Sequence, residues 1–214
     1  MPAFFLNAGV LFNIALTAYK DAAAGESVIE NVLVACVFSA VAMEAFINEL
    51  AGMTSSIILP KLETEPYKLQ AIAEMLEHVE HSHGPLEMKY ELVKWICTGQ
   101  LFDKGTKPYQ DFADLIAVRN ELVHYKIDRI PVAEDGGVTV APPRVIGRLR
   151  SRHVLADIPA DVGAAWIHRI GTASMARWAC ETAAAMVHIT ISFLPDGLIK
   201  KSAENGFGKA FQVS

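Results

Sequence analysis

Between Asp111 and Tyr125 the chain reads DFADLIAVRNELVHY, which sets a guanidinium, a carboxamide and an imidazole close together as Arg119, Asn120 and His124. No Pro or Gly interrupts the stretch, so it reads as one helix. At a 3.6-residue period Phe112, Leu115, Ile116, Leu122 and Val123 form one apolar stripe, and Arg119 falls in the middle of it, where another Leu is expected. His124 lies five residues further on, about 140° round the helix, and Asn120 is one turn before it on the same flank. Arg119 and His124 therefore border one groove rather than stack. A guanidinium holds a phosphate, and an imidazole with an ordinary pKa near about 6.5 moves protons at neutral pH. Flanking a phosphodiester, the two supply what RNA cleavage without a metal requires, with Asn120 orienting either group.

A cation inside an apolar stripe needs either a carboxylate partner or a cavity that an anion can enter, because a buried unpaired guanidinium costs several kcal/mol. The candidate partner is Glu44, in a second and mainly apolar helix expected from Glu26 or Ser27 to about Ala51. Asn48 is one turn beyond Glu44 and points the same way. Helices around Glu44 and Arg119 are expected to pack together, with the two residues in salt-bridge reach or lining one cavity.

The rest of the chain must position that pair. Its 214 residues, 52% hydrophobic with many alanines, suit one helical domain with its own core, and mean hydropathy is +0.27. This much apolar surface predicts an oligomer. A net charge of −5 argues against holding nucleic acid by bulk electrostatics, so any such contact must be local. Cys36, Cys97 and Cys180 are odd in number and set in apolar pattern, as reduced buried thiols are. The apolar opening, Ala3 to Ala18, lacks a preceding Lys or Arg and carries Asn7 and Asn13, so it reads as a core helix and not a leader. The run Val32–Met43 is too short to span a bilayer, and a cytoplasmic protein is expected.

Helix boundaries follow from punctuation. A first helix spans about Ala3 to Ala23, and the second is expected to stop at Gly52. A third runs from about Tyr67 to His81, ahead of Gly84-Pro85. A fourth covers Leu86 to Thr98, with Leu92, Trp95 and Ile96 turned inward and Gly99 ending it. Pro108 sits near the start of the Arg119 helix, where a missing N–H costs nothing. Residues 127–160 read as a hairpin or irregular insertion. A last long helix spans Ala160 to Phe193 with a bend near Gly171, and the Gly-containing tail 201–214 is expected to be loose. The fold expected is thus an all-α up-and-down bundle, a single domain over 1–200 with the insertion after the motif helix.

Two other groupings stand out. His78, Glu80, His81 and His83 resemble metal-ligand spacing, but they straddle a helix end with no Cys nearby, and a polar helix terminus is the simpler reading. No metal or cofactor is called for. His168 and His188 read as structural. From Gly136 to Ala156 there are Arg144, Arg148, Arg150, Arg152 and His153 and no acid. This basic segment is either a solvated loop or a set of phosphate contacts.

The sequence Arg119-Asn120-Glu121-Leu122-Val123-His124 resembles the R-N-x-x-x-H form of the Arg-x4–6-His motif of HEPN domains. Ala42-Met43-Glu44-Ala45-Phe46-Ile47-Asn48-Glu49-Leu50, in an early helix, is similar to HEPN proteins as well, and the likeness of organisation covers roughly residues 26 to 190. The resemblance implies a helical bundle that pairs two-fold, setting two motif copies across one cleft. It also implies a metal-independent endoribonuclease, as in toxins and defence proteins, with RNA as substrate and an antitoxin or nucleotidyltransferase as partner. One branch carries a modified Tyr two residues after the His. Here Tyr125 is one residue after, and Lys126 holds the second position. The alternative is a binding or scaffold module in which Arg119 recognises a nucleotide or closes a network with Glu44.

Overall fold

The computed structural model describes residues 7–55, 63–124, 143–155 and 166–213. Among these the regular elements are all helical: α1 Asn7–Ala23, α2 Val28–Ser55, α3 Pro66–His81, α4 Leu86–Thr98, α5 Tyr109–Val123, α6 Arg144–Ser151, α7 Trp166–Ile170, α8 Ala173–Phe193 and α9 Leu198–Ala203. A π-helical turn, Glu204–Gly208, follows α9, and an isolated antiparallel bridge joins Glu63 to Gly197.

Helix α2 is the axis of the bundle, in contact with α1, α3, α5 and α8. Its Met43, Phe46, Ile47 and Leu50 are wholly buried, as expected of a central helix apolar on most faces. By length and composition α2 could cross a membrane, but here its inner face forms the protein core. Gly52 does not end it. The helix continues to Ser55, and the hydroxyls of Thr54 and Ser55 donate back to the carbonyls of Leu50 and Gly52 in its last turn.

Helices α3 and α4 form a hairpin across the Gly84-Pro85 turn. Gly99 closes α4 in the left-handed region (φ 74°), and its N–H donates to the Trp95 carbonyl at 2.7 Å. The buried face of α4 is Lys89, Tyr90 and Val93, whereas Trp95 is 51% exposed. The expected inward face is therefore corrected at Trp95, while Ile96 packs against the core: Tyr90, whose hydroxyl donates to the Met43 carbonyl, sets the rotation of α4 and turns Trp95 out.

The long last helix is two. Thr172 caps α8 by accepting from the Met175 N–H, and Gly171 lies where a Cβ would come within 2.7 Å of the Ile29 Cγ1. The segment after Lys200 is not loose. Phe207 and Phe211 are fully buried, Phe211 stacks on Phe12 with centroids 4.4 Å apart, and Phe207 meets Phe46 edge-on at 4.9 Å. Within the expected 127–160 insertion, Arg144–Ser151 is a helix with Val145, Ile146 and Leu149 buried, which replaces an irregular loop there. The expected hairpin lies outside the described residues.

Candidate functional site

The site is built on α5. Tyr109, Phe112, Leu115, Ile116 and Val118 are buried and fix the helix against α2 and α8, with Phe112 against Tyr90 at 4.8 Å. The apolar stripe ends there. Leu122 is half-buried and Val123 is 54% exposed, so the last turn of α5 projects from the bundle. Arg119 sits at this margin rather than in the interior, its side chain 29% exposed.

Its guanidinium has two partners among the described residues. Nη2 lies 3.4 Å from Glu44 Oε2 on α2, and Nη1 donates to Asn120 Oδ1 at 3.0 Å. The predicted pairing of α2 with α5 through Glu44 and Arg119 is present. These side chains line a cavity of about 210 Å³, closed on its other side by the Gly84-Pro85 turn and the first residues of α4, including Glu87. Thus the cation has both a carboxylate and a cavity, where the sequence required one of them.

His124 is the C-cap of α5. Its N–H donates to the Asn120 carbonyl at 2.9 Å, and its side chain is exposed. Asn120 is exposed too, so the flank shared by Asn120 and His124 opens to solvent beside the Arg119 cavity.

Asn48 does not join them. One turn along α2 from Glu44, it accepts from Lys89 Nζ at 2.7 Å, and the same ammonium pairs with Glu80. Lys89 is 3% exposed, so Asn48 and Glu80 satisfy a buried cation instead of supporting Arg119. This also places Glu80 in a structural ion pair, while His81 Nδ1 sits 2.9 Å from the Glu77 carbonyl, as a polar helix end would. His188 Nε2 lies 2.8 Å from the Phe211 carbonyl, in a structural position.

The basic segment divides. Arg148 and Arg152, one turn apart on and just after α6, converge on Asp114 of α5, with Nε of Arg148 and Nη2 of Arg152 each 2.7 Å from a carboxylate oxygen. Arg152 Nη1 also lies 2.8 Å from Asp111 Oδ1, a close charge contact without hydrogen-bond alignment, and Lys107 pairs with Asp111 from the outside at 3.2 Å. Asp111 and Asp114 are buried, so these ion pairs clamp α6 to the helix that carries Arg119. Sequence reading missed both acids as partners. Their signal was present as two carboxylates three residues apart in the first half of α5, matched by two arginines four apart. Arg144 and Arg150 are exposed residues of α6.

Burial raises the thiol pKa values throughout: Cys97 and Cys180 are each pushed up to about 11, and Cys36 is pushed higher still. None is therefore a ready nucleophile near neutral pH. The chain matches no family model, no curated protein and no solved structure.

Proposed function

We propose that the chain is a metal-independent endoribonuclease of HEPN type, acting on RNA at the exposed end of α5. The observation that carries this reading is Arg119: a guanidinium held by Glu44 and Asn120 at a cavity mouth, still part-exposed, five residues along α5 from an accessible imidazole. In this reading His124 takes the proton of a ribose 2′-OH. The 2′-oxygen then bonds to phosphorus as the bond to the 5′-oxygen breaks, and the leaving oxygen takes a proton from a second acid. Arg119 carries the charge that develops on the phosphoryl oxygens, and Asn120 orients the phosphate or the guanidinium.

The second acid comes from another copy of the chain across a two-fold cleft. Exposed Val123 on α5 and exposed Met88 and Trp95 on α4 are apolar surface of the kind such pairing covers. More remote phosphates fall to the exposed side of α6, through Arg144, half-exposed Arg148 and Arg150, whereas Arg152, 18% exposed and committed to Asp114 and Asp111, is withdrawn from that role. The reading carries a cytoplasmic location and a role in defence or as a toxin with its own antitoxin.

One assay tests the central claim. Purified protein is incubated with mixed RNA, with and without EDTA, beside a His124→Ala variant. The expected result is chelator-resistant cleavage that leaves 2′,3′-cyclic phosphate ends, spares DNA and is lost in the variant.

The ion pair itself favours a second reading. Because Glu44 already partners Arg119, the pair can close a network without chemistry and serve a nucleotide-binding or protein-interaction module. Protein that cleaves no RNA, yet loses nucleotide binding on Arg119→Ala, selects this reading.

A further inference from the structure

The cavity beside Arg119 has the wrong charge for a phosphate. Two carboxylates, Glu44 and Glu87, line it with one guanidinium, and Glu44 already approaches that guanidinium at 3.4 Å. Glu87 is different. It makes no hydrogen bond or ion pair among the described residues, although it lines the cavity and is only part-exposed. Its oxygens reach solvent, so a ligand edge that offers two donors can replace the water there without first breaking a bond within the protein. A phosphate drawn to Arg119 would be repelled from the cavity by Glu87 and stays at its mouth.

Size narrows the occupant further. At about 210 Å³ the space falls below the roughly 300–1,000 Å³ that encloses drug-sized ligands, so it admits one planar ring system and not a whole nucleotide. Its walls include the apolar side chains of Leu86 and Ile116, surfaces on which a flat ring can lie. Among the RNA bases, only guanine offers two adjacent donors, N1–H and the exocyclic 2-amino group, that match both oxygens of a carboxylate. Uracil would turn carbonyl oxygens toward it, while adenine and cytosine each pair a donor with an acceptor.

We propose that the cavity between α5 and the start of α4 is a base-recognition pocket for guanine, in which Glu87 accepts from N1–H and the 2-amino group while the adjoining phosphate rests on Arg119. This rests on the RNA reading given above and adds to it the identity of the base next to the cut. Glu87 is then a specificity-determining residue and not a catalytic one. The donor asymmetry of guanine, not the strength of the phosphate contact, would set the sequence preference.

The test uses the full chain and short single-stranded RNAs of one sequence, carrying guanine, inosine or adenine at one position. Inosine removes the 2-amino group alone. Binding is measured by titration with a non-cleavable 2′-deoxy substitution 5′ to the scissile phosphate, and cleavage is mapped on the all-ribose forms. Guanine is expected to bind about tenfold or more tightly than inosine or adenine, and the Glu87→Gln variant should flatten that preference. Cleavage next to guanine should follow the same order. The inosine arm alters only the RNA, so it stands even where the variant is poorly folded. Equal binding of the three RNAs to wild-type protein overturns the pocket, as does a preference that persists in folded Glu87→Gln. The two proposals separate cleanly: cleavage without guanine preference sinks the pocket and keeps the nuclease, and guanine-selective binding without cleavage sinks the nuclease and keeps the pocket.

Discussion

Arg119 Nη2 stands 3.4 Å from Glu44 Oε2, with both side chains part-exposed, at 29% and 43%. The pair is thus a rim contact. Solvent screens it, and such pairs contribute at most about 1 kcal/mol. Arg119→Ala is therefore expected to lower the free energy of urea unfolding by no more than that amount. A buried cation would instead have cost several kcal/mol. Arg119→Lys keeps the charge and loses the fork, and should abolish cleavage with the same small loss of stability.

His124 caps α5 through its backbone N–H, and its imidazole is exposed. His124→Ala should leave helicity and melting temperature within experimental scatter while lowering RNA cleavage by on the order of 100-fold or more. Circular dichroism beside a fluorescent-RNA assay checks both. A parallel loss of fold and rate would remove His124 from the chemistry.

Asp114 carries a heavier load. It is 3% exposed and accepts from both Arg148 and Arg152, so Asp114→Ala leaves Arg152 only its charge contact with Asp111 and loosens α6. A loss of about 3 kcal/mol is expected on urea unfolding. Arg148→Ala should cost far less, since its side chain is 52% exposed.

Thiol chemistry should follow burial. Cys97 is the one cysteine that is not fully buried, and burial holds its pKa near about 11. Only the thiolate reacts, so labelling by a disulfide reagent at pH 7 should be slow and speed up about tenfold per pH unit until pH approaches 11. Fast labelling at pH 7 would contradict the burial of this site.

The end of the chain should prove indispensable. Phe211→Ala removes the ring that stacks on Phe12 and approaches Phe46, and is expected to cost about 3–5 kcal/mol. Calorimetry on the variant is the direct check.

How much of this was legible in the sequence depended on how far the cause of each feature lay from it. Helices α3 and α4 could be bounded within about one residue because Pro66, Gly84-Pro85 and Gly99 punctuate them locally. The Glu44 to Arg119 pairing was legible because each charge broke an apolar pattern. Asn48 shared Glu44's spacing, yet Lys89 from another helix claimed it. Asp111 and Asp114 were given no role, since periodicity within α5 is blind to arginines that return more than thirty residues later. Phe207 and Phe211 were passed over because glycines around them read as slack. Their burial is decided by Phe12 and Phe46, and no local signal announces that.

The stacking of Phe211 on Phe12 joins residues almost two hundred positions apart. Such a contact has a long search behind it, because the intervening chain must be brought to closure before the two rings meet. During synthesis, α1 and α2 emerge early with the faces around Phe12 and Phe46 uncovered, and they stay so until residues 204–213 leave the ribosome. The interval exposes apolar surface to any chaperone within reach. A mutation that weakens the C-terminal turn would thus reduce the yield of folded chain out of proportion to its effect on the finished protein, and pulse-labelled solubility would reveal that before any melting curve did.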